Sequence, residues 1–240
     1  MQVARFVEEV RVYESTPGQR HRIDRLPDGR TLFVFRKLAE NHGDLSVAGP
    51  RTQAYTKEAG GIQRAVVIQI KPGWAPAMLG VGARRLTDHV VSLEEIWGSS
   101  ARSLLADLLS TGSADAAIER ITHAFATRLP LISESASARL ARRAVLLLEE
   151  QETSIESLAA RLGVTARHLR RAFTDTVGIG PKEFARSARL RRAVRHTSTS
   201  HTLGRIAADA GYYDQAHLAR DFRELLGVTP SSYVKHGLAR

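Results

Sequence analysis

Thr165, Arg167, His168, Arg170 and Arg171 are interleaved with Leu169, Ala172 and Phe173. At about 100° per residue the three apolar side chains fall within about 100° of one another, and Arg167, Arg170, Arg171 and Thr174 take the other side. A second stretch repeats the arrangement. Leu218, Phe222, Leu225 and Leu226 share one face, Ala216, Arg220 and Arg223 lie opposite, and Gln215 and His217 stand near its start. A guanidinium donates paired N–H bonds to phosphate or to the N7/O6 edge of guanine from a rigid planar fork that the ammonium of Lys lacks. An apolar stripe backed by arginines therefore suits a helix held by one face and offered to nucleic acid by the other. The plain alternative is a solvated basic face on a helical bundle, and two copies in one chain argue against it.

Other chemistries lack their residues. The 240-residue chain has no Cys, which removes disulfides, thiolate nucleophiles and zinc–thiolate sites. His21, His42, His89 and His123 are scattered without a His-x-His pair, so no metal is expected. Asp88 and Glu94-Glu95 read as a solvated helix end before they read as an acid/base pair. No Gly-x-Ser-x-Gly elbow occurs. Neither an enzyme nor a cofactor is expected.

Charge locates the anionic partner. Residues 1–138 hold 17 Lys+Arg and 15 Asp+Glu, whereas residues 139–240 hold 18 and 10, with 16 of those cations Arg. The excess points to nucleic acid or an acidic membrane surface for the last hundred residues, and the arginines favour nucleic acid. The opening MQVARFVEEVRVYE carries acids and no apolar run, so it does not read as a signal peptide. Apolar stretches such as Ala65–Ile68 and Ala144–Leu148 are too short to span a bilayer. A soluble, cytoplasmic protein without a membrane partner is expected.

The elements that would position these faces are legible in outline. Thr31–Phe35 follows the turn Pro27-Asp28-Gly29, Leu45–Ala48 follows a hairpin turn at 41–44, and Val66, Ile68 and Ile70 alternate within 62–70. Short strands with Gly/Pro turns predict a small sandwich or barrel. Helical spacing follows in 99–110 and 116–129. Residues 133–138 are small and polar and read as a linker, and 139–150 as a helix with Leu140, Ala144, Leu147 and Leu148 on one face. The chain thus reads as α+β: a domain of short strands and helices over 1–132, then an all-helical domain over 139–240.

That second domain repeats itself. Leu158-Ala-Ala matches Ile206-Ala-Ala, Gly163 matches Gly211, and Phe173 matches Phe222 after a one-residue insertion. Gly178 and Pro181 follow Phe173 at the intervals by which Gly227 and Pro230 follow Phe222. Each copy reads as a helix-turn-helix. Thr153 and Glu156 can form a capping box at the first helix, Gly163 and Gly211 stop the leading helices, and Thr165 and Asp214 cap the second ones.

The stretch Arg205–Tyr233 resembles the DNA-binding domain of AraC/XylS-type transcription regulators: a small-residue helix, a Gly-aromatic turn, an Arg two before a Phe, then Gly-x-Thr-Pro and a Tyr. The resemblance covers about 40% of the chain. It implies two helix-turn-helix units on a connecting helix, here Pro181–His196. It also implies base or phosphate contacts by Arg171 and Arg220, base-facing positions at Arg167 and Arg170, and contact positions at Gln215 and His217. Ala216 and Ala219 are short, so the second unit is expected to read less sequence. Residues 69–81 and 86–98 resemble the sensory domain that precedes this one in a branch of the family, implying a small β-barrel followed by helices.

The resemblance implies double-stranded DNA and RNA polymerase as partners. It leaves open whether the amino-terminal half binds a small-molecule effector, dimerises, or contacts another protein, and whether the chain is a monomer or a homodimer. Trp74, Met78 and Trp97 can line a ligand pocket or pack the strands against their helices. A sequence-indifferent architectural binder is the competing reading of the basic half.

Overall fold

The computed structural model describes residues 5–16, 19–128, 135–150, 153–197 and 202–238. Alternation builds the main sheet. β3 (Thr31–Ala39) turns Phe33 and Phe35 inward, β4 (His42–Ala48) turns in Leu45 and Val47, and β6 (Arg64–Ile70) turns in Val66, Ile68 and Ile70. With β1 (Val7–Glu14) and β7 (Val90–Ser92) they pair antiparallel in the order β1-β6-β3-β4-β7. β2 (Arg20–Arg25) and β5 (Tyr55–Gly60) form a separate two-stranded sheet. The described strands thus make two sheets, one of five strands whose ends β1 and β7 do not pair, so it does not close into a barrel, and one of two strands.

Helices cover the apolar face of the larger sheet. After α1 (Ala75–Leu79), a 3₁₀ turn (Ala83–Leu86) and α2 (Leu93–Trp97), helices α3 (Ser99–Leu109) and α4 (Ala114–Arg128) bury Leu104, Leu108, Ile121 and Phe125 with the sheet residues in one core. Met78 and Trp97 belong to that core. Trp97 lies edge-on to Phe125 and donates from its indole N–H to Leu79 O at 3.0 Å. Trp74 is half-buried at the edge of the same core: its ring packs on Phe6, and the Arg142 guanidinium lies 3.7 Å from the ring centroid.

Beyond these, the described chain is helical. α5 (Ala136–Glu150) starts within the expected linker, because Ser135 caps its first turn by accepting from the backbone N–H of Ala138. Residues 133 and 134 of that linker lie outside the described residues. The fully buried face of α5 is Ala141, Ala144, Val145 and Leu148; Leu140 and Leu147 are only half-buried. α6 (Ile155–Arg161), α7 (Ala166–Val177), α8 (Pro181–His196), α9 (Leu203–Ala210), α10 (Gln215–Leu226) and α11 (Pro230–His236) follow. α8 coincides with the expected connecting helix, its Pro181 preset for the first turn. Two cores flank it: α5, α6 and α7 share one with Phe184, and α9 and α10 share the other with Leu190 and Ala193.

Candidate nucleic-acid interface

Each helix-turn-helix is fixed by local chemistry. In the first unit Ser154, not Thr153, caps α6 by accepting from Ser157 N at 3.0 Å; the expected capping box is displaced by one residue, and Ser157 at the third position cannot reciprocate as Glu156 would. Gly163 turns at φ +71° and Gly211 at φ +85°, a region costly to any residue with a Cβ. Thr165 accepts from His168 N at 3.2 Å, and Asp214 accepts from His217 N at 2.7 Å, so both second helices start where the sequence placed them.

The faces of α7 divide as their spacing predicts. Leu169, Ala172, Phe173 and Val177 are buried, while Thr165, Arg167, His168, Arg170 and Arg171 are exposed. Phe173 meets Phe184 of α8 edge-on at 5.5 Å, which pins the helix by the side opposite its arginines. In α10, Leu218, Phe222, Leu225 and Leu226 are buried, while Gln215, Arg220 and Arg223 are exposed. His217 is half-buried, its ring edge-on to Tyr212 at 5.0 Å. Tyr213 is 94% exposed beside Gln215. Sequence reasoning passed over it, although of two adjacent tyrosines only one can reach the core.

Two carboxylates temper the arginine surface. Arg170 donates to Glu156 of α6 at 2.6 Å. The Glu156 backbone N–H, and then Arg170, hold that carboxyl below the usual range. Asp175 sits between Arg171 and Arg84 of the 3₁₀ turn, each at 3.9 Å.

Behind the second unit, Asp221 of α10 is 2% exposed and accepts from Arg186 Nε of α8 at 2.8 Å, with Arg189 at 3.7 Å. Nothing in the spacing of Asp221 singles it out; the signal is an acid on the inner side of an otherwise apolar stripe.

The amino-terminal half reaches both units. Thr87 Oγ1 donates to Gly178 O at 2.8 Å, at the end of α7. The backbone N–H of Ala54 donates to Leu225 O at 2.8 Å, near the end of α10. Arg191 of α8 donates to Pro27 O at 3.1 Å, and burial pulls its pKa down to about 10, with Arg30 adding and Asp28, Glu149 and Glu8 opposing. Arg30 binds Glu8 at 2.6 Å and Glu149 of α5 at 3.5 Å. A groove of about 540 Å³ opens beside this cluster, lined by Lys71, Trp74, Arg142, Val145 and Leu146 among others. Among the described residues no three His, Cys, Asp or Glu converge as metal ligands, and no helix is long and apolar enough to cross a membrane.

Comparison with known proteins agrees with this geometry. A family model described as a helix-turn-helix domain matches residues 158–236. The HTH-type transcriptional regulator GlxA of Rhizobium meliloti is 36% identical over 93 residues, which are 36% of this chain and 29% of GlxA. The HTH-type transcriptional regulator Rv1931c of Mycobacterium tuberculosis is 33% identical over 82 residues, 34% of this chain and 32% of that protein. The curated relatives are matched over 11% to 37% of their own length. Among solved structures, ToxT of Vibrio cholerae O395 aligns over 96% of this chain and 98% of its own at 11% identity and a TM-score of 0.47. Residues 158–236 thus form a helix-turn-helix domain similar to those of these transcriptional regulators, in keeping with the resemblance to AraC/XylS-type regulators.

Proposed function

We propose that the protein binds a specific DNA site through both units, α7 and α10 entering successive major grooves of one duplex. The supporting observation is the opposed placement of phenylalanine and arginine in both helices: Phe173 and Phe222 are fully buried, while Arg167, Arg170, Arg171, Arg220 and Arg223 are exposed. Readers joined by one continuous helix suit adjacent turns of a duplex, about 34 Å apart. In this reading Arg167, Arg170 and Arg171 carry most base contacts, with Thr165 and His168 at the helix start. Gln215, His217, Arg220 and Arg223 add base and phosphate contacts in the second groove, where Ala216 and Ala219 offer only small apolar surfaces.

The helices from α5 (Ala136–Glu150) onward form the DNA-binding unit in this proposal, and the strands and helices up to α4 regulate it. Bound at its site, the protein recruits or blocks RNA polymerase. The contacts of Thr87, Ala54 and Arg30 with the helical region give the amino-terminal half a grip on both units. A small effector entering the groove at Trp74 acts only by favouring one arrangement of the two halves over another.

A site selected from random duplexes tests the reading. Arg171→Ala is expected to weaken binding there by about 1–3 kcal/mol and to relax preference at one base pair. Unchanged binding in a gel-shift series removes Arg171 from the reading set. A sequence-indifferent binder would instead show no preference for the selected duplex at any salt concentration.

A further inference from the structure

The 3₁₀ turn at Ala83–Leu86 belongs to the amino-terminal half, yet it lies against the first recognition helix. Its position is fixed closely. Thr87 donates both to Ala83 O and to Gly178 O, a methyl group added at Gly82 would stand 3.3 Å from Asp175 O, and one added at Gly178 would stand 2.7 Å from Pro50 and 3.0 Å from Ala83 O. At the second unit a methyl group at Gly227 meets nothing within 4 Å, and the amino-terminal half reaches α10 through the Ala54 N–H bond to Leu225 O instead.

From this turn Arg84 and Arg85 both project into solvent. The Arg84 side chain is 72% exposed and that of Arg171 is 86% exposed. Each guanidinium approaches a different oxygen of Asp175 at 3.9 Å, so Arg84 continues the cationic surface of α7 by about one helical turn beyond Arg171. Asp175 alone would repel a phosphate; with a guanidinium on either side its charge is offset.

We propose that Arg84 and Arg85 grip backbone phosphates flanking the bases read by α7, so that the amino-terminal half is itself part of the DNA-binding surface. Duplex DNA carries one charge per about 1.7 Å of axis, so phosphates border a groove-bound helix at both ends. Exposed arginines held one turn past the reading set meet those on one side. The contact is to phosphate because the turn lies alongside α7 and not on its leading end, where base edges are reached. This inference rests on the DNA-binding reading above.

The full-length chain carrying Arg84→Ala and Arg85→Ala tests it beside Arg171→Ala, each titrated with salt on the selected duplex and on a random one. The double variant is expected to bind both duplexes several-fold more weakly, with sequence preference intact. Its slope of log affinity against log salt should be shallower by about 0.9 for each phosphate released. Both arginines are exposed, so the thermal midpoint should hold. An unchanged slope in the double variant, with Arg171→Ala still losing preference, overturns this inference and leaves the DNA-binding reading standing. A parent chain that binds neither duplex above background overturns both.

Discussion

Asp221 of α10 and Arg186 of α8 are joined at 2.8 Å in a place where the aspartate is 2% exposed. A second recognition helix is thereby tied to the connecting helix by charge as well as by the packing of Phe222. The remaining partner of such a pair is left with an uncompensated charge when one member is removed.

Asp221→Asn is accordingly expected to destabilise the protein by about 1–3 kcal/mol, because Arg189 and Arg186 lose their shared buried carboxylate while Arg186 keeps its pair with Glu224. Urea denaturation followed by circular dichroism measures this. A midpoint equal to that of the parent chain would mean that the pair contributes nothing to the docking of α10.

Phe173→Ala and Phe222→Ala each remove a fully buried ring from a different core. Each is expected to cost about 3–5 kcal/mol through the lost burial and the cavity left behind. The two cores lie on different stretches of α8, so the costs should add when the changes are combined. Denaturant midpoints for both single variants and the double variant check this, and a strongly non-additive double would show that the cores are coupled.

Gly178 and Gly227 close α7 and α10 at φ +95° and +73°. Alanine at Gly227 meets open space and is expected to cost about 1–2 kcal/mol for the left-handed backbone alone. Alanine at Gly178 adds a methyl group 2.7 Å from Pro50 and 2.9 Å from Thr87, so a further 1–3 kcal/mol or so is expected. The extra cost should appear with faster proteolysis between the two halves for Gly178→Ala, and without it for Gly227→Ala. Equal behaviour of the two variants would deny the close packing of Pro50 and Thr87 on the end of α7.

Glu8 gives a pH signature. Burial pushes its carboxyl upward, but the paired bonds from Arg30 and the nearby positive charges outweigh burial and hold it below the ordinary range. A carboxyl depressed in the folded state stabilises above its unfolded pKa, and that contribution is lost as pH falls through the folded one. Stability is therefore expected to fall from about pH 4.3 downward, and less steeply in Glu8→Gln. Urea midpoints between pH 6 and pH 3 measure the difference, and parallel curves would place Glu8 outside the linkage.

The carboxy-terminal architecture was readable because its signals are local. The 3.6-residue spacing of Leu169 and Phe173, the caps Thr165 and Asp214, and the stops Gly163 and Gly211 each depend on neighbours a few residues away, whereas the connecting helix at Pro181–His196 was expected from the family resemblance. β1, β2 and β5 left little trace. Their residues are mostly exposed, so no buried face writes an alternation of two into the sequence. Trp97 and Met78 share the composition of a pocket wall and of a core, and only the fold sends them to the core. The contacts of Thr87 with Gly178 and of Arg30 with Glu149 span 91 and 119 residues, beyond the reach of any spacing argument.

Phe184 concentrates these relationships in one side chain. Its ring stacks edge-on against Phe173, and Gly29 lies so close that a methyl group there would stand 2.7 Å from the ring. The same benzyl group is therefore a keystone for two unrelated seams, one inside the first helix-turn-helix and one toward the strands. A drift of this position to a smaller residue would loosen both at once, and a compensating change on either side alone could not re-seat the other.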